Sequence, residues 1–318
     1  MILTVTPNPS LDRTYEVPAL DRGEVIRATG ERMDPGGKGV NVSRAVAATG
    51  RRTLAVLPLG GAPGELVAQL LHEQGIEVAP VPVAGQTRSN IAVAEPDGTL
   101  TKINAPGPEL TSAEAESLLS TVRERAAQQG EVAWIACCGS LPRGLEPSWY
   151  AELVRRAHAA GARIALDTSG PSLLAALAER PDIVKPNAEE LAEAVGRPLA
   201  TVGDAVKAAE ELRDAGARAV LASLGADGQL LVDASGAYFA TARVDAVRSN
   251  VGAGDASLAG FLVAGGAGVD ALASAVAHGA AAVRLPGSAM PAPADLDPSA
   301  VTVTADVPLD RVLTEPAA

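Results

Sequence analysis

Aromatic side chains are scarce in this chain of 318 residues, where two Trp, three Tyr and two Phe make up 2% of the sequence. Hydrophobic residues nevertheless reach 47%, which is enough for a packed core and argues against a disordered chain. The core must therefore be built mainly from Ala, Val and Leu. No internal repeat and no Pro/Gly-rich linker divides the sequence, so we expect one domain over residues 1–318.

Cysteine is just as rare. Cys137 and Cys138 are the only two, and they are adjacent within the apolar segment VAWIACCG. Neighbouring residues of a strand point to opposite faces, and two cysteines make no disulfide framework. We expect both to be buried, reduced core residues, with metal binding as the weaker alternative.

Basic clusters and long apolar segments are also missing. The formal net charge is −12 and no Lys/Arg-rich run occurs, which argues against a nucleic-acid-binding surface. No apolar run reaches the length of about 18 residues that a membrane span needs. The first ten residues, MILTVTPNPS, lack a basic region followed by an apolar one. We therefore expect a cytoplasmic protein with no nucleic-acid or membrane partner.

Two common nucleotide-binding signatures are absent as well. A Walker A loop requires GxxxxGK followed by Ser or Thr, but RMDPGGKGV has Arg32 in place of the first Gly and Gly39 after the Lys. A dinucleotide-binding fold requires GxGxxG after its first strand, but ILTVTPNPSLD contains no glycine. Any nucleotide site must use another arrangement.

Strand and helix patterns alternate from about residue 128 onward. Segments such as EVAWIACCG, RIALDTSG, DIVKPN and RAVLASLG indicate short buried strands, and PSWYAELVRRAHAAG and TVGDAVKAAEELRDAGA indicate helices between them. This alternation predicts a parallel sheet covered by helices.

The first hundred residues contain half-polar strands of another kind, within about 10–32 and 86–105. EPDGT carries an Asp-Gly hairpin signal between two of them. These strands predict a small accessory sheet that forms a lid over a cleft. Because exposed strand edges invite pairing, a homodimer through this lid is expected.

The segment SNVGAGDASLAG places Gly252, Ala253, Gly254 and Asp255 at the start of an apolar helical pattern. Backbone N–H groups at a helix N-terminus are unpaired and attract anions, so the loop could hold a phosphoryl group while Asp255 accepts a proton from an attacking hydroxyl. The helix dipole is expected to lower the pKa of Asp255. The alternative is a glycine turn followed by an ordinary helix cap.

SNVGAGDASLAG and PGGKGVNVSRA together resemble the two signatures of the ribokinase-like, or PfkB, carbohydrate kinases. Seven further segments agree in order over residues 1 to about 287, namely TPNPSLDRTY, TRSNIAV, TKINAPGPELT, GSLPRG, LDTSG, VKPNAEEL and SLGADG. The resemblance implies a ribokinase-like α/β fold with a mostly parallel sheet covered on both faces. It also implies ATP as phosphoryl donor, Mg²⁺ as cofactor and a sugar as acceptor.

The resemblance also assigns site residues. Asp255 would be the catalytic base, and Gly252, Ala253 and Gly254 would form the anion hole. The sugar phosphate would be bound by Asp12, Gly37, Lys38, Asn41, Arg88 and Ser140. Lys38 and Arg88 would contact the phosphate already on the sugar. Without the resemblance, Asp12 suits a turn, and Lys38 and Arg88 suit solvated surface positions.

The nucleotide side is assigned in the same way. Asn187 and Glu190 match the family's N-x-x-E motif, which organises Mg²⁺ through water; the alternative is a helix N-cap followed by acidic residues. ATP would be bound by Lys185, Asn187, Ser223, Gly225, Gly228, Ser249 and Val251. The alternative for SLGADG is a β-turn.

Within the family, GEVIRA, PGGKGVNVSR and TKINAPGPELT are most similar to kinases of D-fructose 1-phosphate. This implies ATP-dependent formation of fructose 1,6-bisphosphate by transfer to the 6-hydroxyl. Arg143 and Ala105 depart from the commoner pattern and leave two alternatives open, a 6-phosphofructokinase of the minor type and a tagatose-6-phosphate kinase. A non-catalytic sugar- or nucleotide-binding regulator is the alternative from another class.

Overall fold

A ten-stranded sheet forms the centre of the computed structural model, which describes residues 1–128 and 132–317. The strands are β1 (Ile2–Val5), β2 (Ser10–Glu16), β3 (Gly30–Gly36), β4 (Thr53–Leu59), β5 (Glu77–Pro82), β6 (Arg88–Ala94), β7 (Leu100–Ile103), β8 (Trp134–Cys138), β9 (Arg163–Asp167), β10 (Ile183–Val184), β11 (Leu199–Thr201), β12 (Val220–Ser223), β13 (Gln229–Asp233), β14 (Gly236–Ala242), β15 (Val301–Thr304) and β16 (Val312–Ala317). The helices are α1 (Lys38–Ala48), α2 (Gly61–Glu73), α3 (Ser112–Gln128), α4 (Trp149–Ala159), α5 (Gly170–Leu177), α6 (Ala188–Val195), α7 (Val202–Asp214), α8 (Ala253–Val263) and α9 (Gly268–Ala282).

The central sheet has the order β15-β14-β13-β12-β10-β9-β8-β1-β4-β5. Its strands from β12 to β5 are parallel, whereas β13, β14 and β15 extend the β12 edge in antiparallel fashion. The predicted mostly parallel α/β sheet is therefore confirmed. Because parallel strands end at one edge, Asp167 at the end of β9, Lys185 after β10 and Ser223 at the end of β12 share that edge.

Helices cover both faces of this sheet, and the buried apolar side chains form three core clusters, two of which meet at β8. Successive residues of β8 show the division, since Ile135 and Cys137 join one core while Ala136 and Cys138 join the other. Both cysteines are fully buried and unpaired, as predicted. Burial raises the pKa of both thiols well above its usual value, so neither is a ready thiolate.

A second, four-stranded sheet has the order β3-β2-β6-β7. The predicted Asp-Gly hairpin joins β6 to β7, where Gly98 takes a φ of 93°. The predicted range 10–32 includes residues 24–29 as part of a strand segment. These residues contain no strand, and β3 begins only at Gly30. The strands β2 and β6 pair in parallel although they are distant in sequence. Motion of this sheet as a lid stays a prediction, as does the single-domain organisation.

A short third sheet pairs β11 with β16 near the carboxyl end of the described chain. Asp227, which is buried, accepts hydrogen bonds from Thr314 N at 2.6 Å, Thr314 Oγ1 at 2.9 Å and Arg311 Nη2 at 3.3 Å. This carboxylate therefore ties the turn after β12 to β16. Among the described helices, none is both long and apolar enough to cross a bilayer.

Candidate active site

The N-terminus of α8 lies at the base of the candidate site. Gly252 takes a left-handed φ of 78°, which glycine tolerates without strain, and no side chain caps the helix. The first-turn N–H groups of an α-helix have no acceptor within it and carry the positive end of its dipole. A Cβ atom placed on Gly254 would lie 3.4 Å from Lys185 Nζ, so this ammonium group stands beside the loop. The arrangement suits an anion.

Asp255 lies in the first turn of α8 and is only 7% exposed. Its Oδ2 accepts a hydrogen bond from Asn41 Nδ2 at 2.8 Å. Asn41 belongs to α1, which packs against α8. The structure therefore brings together two segments that are more than two hundred residues apart in sequence.

Four charged side chains form a network beside this pair, two from strand ends and two from the first turns of helices α1 and α6. Asp167 is fully buried and lies 2.8 Å from both Lys38 Nζ and Lys185 Nζ. Lys38 also donates to Glu190 Oε1 at 3.2 Å. Although burial alone would raise it, the two ammonium groups hold the pKa of Asp167 below its usual range. Lys38, Lys185, Asp167 and Glu190 therefore form one connected network of ion pairs.

The pKa of Asp255 does not follow the expectation from the sequence, which is a value lowered by the helix dipole. Burial, assisted by repulsion from Asp167, raises the pKa of Asp255 from 3.8 to about 6, and this expectation was wrong. The hydrogen bond from Asn41 and the charges of Lys185 and Lys38 oppose that rise. A carboxylate with a pKa near 6 is ionised at neutral pH and is a stronger base than an exposed aspartate.

Asn187 and Glu190 form a capping box at the start of α6. Glu190 N donates to Asn187 Oδ1 at 2.8 Å, and Asn187 N donates to Glu190 Oε2 at 2.9 Å. The alternative of an N-cap with an acidic first turn therefore describes their contacts in this structure. Over the described residues, no group of three or more His, Cys, Asp or Glu side chains is arranged to hold a metal.

Asp12 lies on β2, in the small sheet. Its Oδ1 accepts hydrogen bonds from Ser10 Oγ at 2.6 Å and from Asn90 Nδ2 at 2.9 Å. A Cβ atom on Gly36 would collide with the Asp12 carboxyl group, so the absence of a side chain there leaves room for this carboxylate. Asp12 and Asn90 line a cleft of about 810 Å³ between the small sheet and segments 247–251 and 286–288. A sugar-sized ligand would fit this cleft.

Arg88, at the start of β6, is held by two main-chain carbonyls. Nη1 donates to Ala105 O and Nη2 to Asn8 O, both at 2.9 Å, while the buried Nε has no partner. One N–H remains on each terminal nitrogen for another acceptor. Lys38, the other predicted phosphate contact, pairs with Asp167 and Glu190. The phosphate contacts of Arg88 and Lys38 stay predictions.

Replacing Arg88 by Ala is expected to raise the KM for the sugar phosphate about tenfold or more, because the predicted charge-assisted hydrogen bond to its phosphate would be lost. The KM for ATP should change much less, which steady-state kinetics with each substrate varied in turn would measure. Arg13→Ala is the matched control, since Arg13 is on β2 and pairs with Glu31 at 3.4 Å. Equal increases in both KM values would make Arg88 a purely structural residue.

The predicted nucleotide residues lie along the adjoining end of the sheet. Ser223 ends β12, and Gly225 opens a 3-10 turn that closes at Gly228, where φ is 123°. A side chain on Gly228 would collide with Ala240 O. This geometry is that of the β-turn alternative. Ser249 and Val251 line the cleft, and Ser249 Oγ accepts a hydrogen bond from Val251 N at 3.2 Å.

The two remaining predicted sugar-binding residues lie in loops at the same edge. Gly37 is the N-cap of α1 with a φ of 116°, and a Cβ atom there would lie 2.7 Å from Thr6 Cγ2. Ser140 is exposed in the loop after β8, next to Gly139, whose N–H donates to Asp167 O at 2.8 Å. The binding roles of both residues stay predictions.

Sequence reasoning gave no role to Asp167, Asn90 or Arg44, which the structure places in or beside the site. Asp167 is the polar last residue of an otherwise apolar strand, at the edge of the parallel sheet where ligands usually bind, and this position could have identified it. Asn90 is two residues from Arg88 and so shares its face of β6. Three further cations line the cleft without having been predicted: Arg32, Lys102 and Arg248.

Comparisons with known proteins identify relatives of this chain. The family model described as "pfkB family carbohydrate kinase" matches residues 6–295. The 1-phosphofructokinase of Rhodobacter capsulatus is 38% identical over 307 residues, covering 95% of this chain and 96% of the relative. The ATP-dependent 6-phosphofructokinase isozyme 2 of Mycobacterium tuberculosis is 36% identical over 294 residues, covering 91% and 85%. The structure of phosphofructokinase-2 from Escherichia coli in complex with potassium matches with a TM-score of 0.86 and 33% identity, covering 92% and 96%.

Proposed function

The chain belongs to the pfkB family of carbohydrate kinases, and from that premise we propose that it transfers the terminal phosphoryl group of ATP to the 6-hydroxyl of D-fructose 1-phosphate. The products are ADP and D-fructose 1,6-bisphosphate. The observation that carries the proposal is the buried Asp255 carboxylate at the N-terminus of α8, held by Asn41 beside two lysines. The similarity to 1-phosphofructokinases selects the sugar.

In the proposed reaction, Asp255 orients the 6-hydroxyl and accepts its proton. The bond between that oxygen and the γ-phosphorus forms as the bond to the bridging β,γ-oxygen breaks, and ADP leaves with the electron pair. Phosphoryl transfer needs mainly orientation and charge stabilisation from the protein. The raised pKa of Asp255 supports its role as the base, because a carboxylate with a pKa near 6 is ionised at neutral pH and still basic enough to accept a proton.

The backbone of Gly252, Ala253 and Gly254 is proposed to cradle the migrating phosphoryl group. The uncapped helix start and its dipole support this role. Lys185, whose ammonium group lies beside Gly254, would neutralise charge that develops on the phosphates. The turn at Ser223–Gly228, with Ser249 and Val251, would contact the rest of the nucleotide.

Asn187 and Glu190 fit a magnesium ion that is held through water. Both Glu190 oxygens and the Asn187 side-chain oxygen already accept hydrogen bonds, and Mg²⁺ keeps several of its own waters. When bound, the ion supplies charge neutralisation at the nucleotide phosphates. Glu190 would hold its hydration shell while also fixing Lys38.

At the sugar, the Ser10–Asp12–Asn90 group is proposed to bind adjacent hydroxyls, because a carboxylate accepts two such hydrogen bonds. The phosphate already present on the sugar would contact the remaining N–H groups of Arg88. Gly37 and Ser140 would complete the sugar site from the neighbouring loops.

Initial rates with fructose 1-phosphate, fructose 6-phosphate and tagatose 6-phosphate, each with ATP and Mg²⁺, test the proposal. We expect the highest kcat/KM with fructose 1-phosphate. A preference for either 6-phosphate would favour the alternatives, one of which is the activity named for the Mycobacterium tuberculosis relative. Tight binding without turnover of any sugar phosphate would favour a regulator.

Two further expectations stay predictions. Exposed apolar side chains on the small sheet, including Ile103 at 61% and Met33 at 38%, support pairing of two copies through this sheet. A cytoplasmic location is expected from the amino-acid sequence.

A further inference from the structure

We propose that Asn41 and Arg44 are positioning residues for the base: Arg44 fixes the amide of Asn41, and that amide holds one oxygen of Asp255 so that the other faces the acceptor hydroxyl. The inference rests on the proposed function, because it assigns the base to Asp255. It gives Asn41 a role other than the direct sugar contact that its motif implies.

Hydrogen bonds connect the three side chains in series. Arg44 Nη1 donates to Asn41 Oδ1 at 3.4 Å, and Asn41 Nδ2 donates to Asp255 Oδ2 at 2.8 Å. Asn41 and Arg44 are three residues apart on α1 and so lie on neighbouring turns of one face. A guanidinium group only donates and a carboxylate only accepts, so the amide between them has one favourable orientation.

Arg44 is itself held at several points, which makes it a rigid support. Its Nε donates to Gln74 Oε1 at 3.0 Å and its Nη1 to Ser288 Oγ at 3.4 Å. Its Nη2 lies 3.9 Å from Asp34 Oδ1, and its side chain is only 11% exposed. These contacts keep Arg44 directed at Asn41 rather than at the cleft.

The Asn41 hydrogen bond has a defined effect on Asp255. Burial and the charge of Asp167 favour the protonated carboxyl, whereas Asn41, Lys185 and Lys38 favour the ionised form. The buried thiol of Cys138 is a further titratable group that interacts with Asp255. Losing the Asn41 donor should therefore raise the pKa of the base. As the pH is lowered, kcat should then begin to decrease at a higher pH than in the wild type.

The test compares pH profiles of kcat for the wild type, Asn41→Leu and Asn41→Ser. We expect the acid limb to move up by about one pH unit in both variants, because one hydrogen bond to a charged group is lost. The KM for the sugar phosphate should change little. Asn90→Leu is the matched control, since Asn90 is another amide that donates to a carboxylate, Asp12, at 2.9 Å; it should raise that KM and leave the acid limb in place.

Arg44→Met and Arg44→Lys test the outer residue. The Met variant should show a smaller shift of the acid limb in the same direction, and the Lys variant, which keeps the charge but not the guanidinium fork, should shift it less than the Met variant. Titration of ¹³C-labelled aspartate carboxyl groups by NMR, with Asp255→Asn for assignment, measures the same pKa without turnover.

The outcomes separate this inference from the proposed function. A wild type that phosphorylates none of the sugar phosphates refutes the function, yet the NMR titration still reports the Asn41 contact. An Asn41→Leu variant with an unmoved acid limb and carboxyl titration overturns the inference, even if its KM rises. An equal shift in Asn90→Leu overturns it too.

Discussion

Replacing Asp255 by Asn is expected to lower kcat by a factor of about 100 or more, the usual contribution of a general base. The amide keeps the size of the carboxyl group but cannot accept the proton from the 6-hydroxyl. Binding of both substrates should persist, and isothermal titration calorimetry with each one would measure it. A variant that keeps nearly full turnover would show that Asp255 is not the base.

The same substitution should make the protein more stable at neutral pH. The pKa of Asp255 rises from 3.8 to about 6 on folding, so the ionised carboxylate destabilises the fold once the pH exceeds both values. A pKa rise of this size corresponds to about 3 kcal/mol of destabilisation at neutral pH. This destabilisation disappears below about pH 4, where the carboxyl group is protonated in both the folded and the unfolded chain. Urea unfolding of both proteins at pH 4.5 and pH 8 should show a larger gain for Asp255→Asn at pH 8. An equal gain at the two pH values would contradict the raised pKa.

Replacing Asp167 by Ala is expected to cost about 3–5 kcal/mol of unfolding free energy, because it leaves the buried Lys185 without its counter-charge. Lys185 is 5% exposed, and Asp167 is its 2.8 Å partner. The effect should be measured by urea unfolding at neutral pH. Because the pKa of Asp167 is lowered in the fold, its stabilising contribution is present above the unfolded pKa and is lost as the pH falls through the folded value.

Glu211→Ala is the matched control for Asp167→Ala. Glu211 pairs with Arg197 at 2.7 Å, but both side chains are well exposed. Surface ion pairs contribute about 1 kcal/mol or less, so this variant should be nearly as stable as the wild type. If Asp167→Ala costs no more than Glu211→Ala, the buried network is not what stabilises this edge of the sheet.

Much of the fold could be predicted because local patterns decide it. The apolar strand around Cys137, the capping-box spacing of Asn187 and Glu190, and the Asp-Gly turn each contain their own structural signal. The antiparallel strands β13–β15 and the parallel pairing of β2 with β6 could not be predicted in this way. Strand order depends on contacts between distant segments, and a local pattern does not contain them.

The candidate site likewise has one part that the local sequence predicts and another that depends on contacts between distant segments. The Gly252–Asp255 segment was visible because a glycine turn and a helix start are adjacent in sequence. Its partner Asn41 and the buried Asp167 come from other strand-helix units, so only the packing of α1 against α8 and the order of the sheet bring them together. The pKa of Asp255 was mispredicted for a related reason, since burial in the folded chain and the charge of the distant Asp167 raise it.

The two adjacent cysteines of β8 give the protein its own chemical reporter. Both thiols are fully buried, and they point to opposite faces of the central sheet, each into one of the two core clusters that meet at β8. A colourless disulfide reagent that turns yellow when it is cleaved can reach them only after the middle of that sheet has opened. The rate of colour development then follows global opening of the molecule, with no dye, tag or engineered label attached.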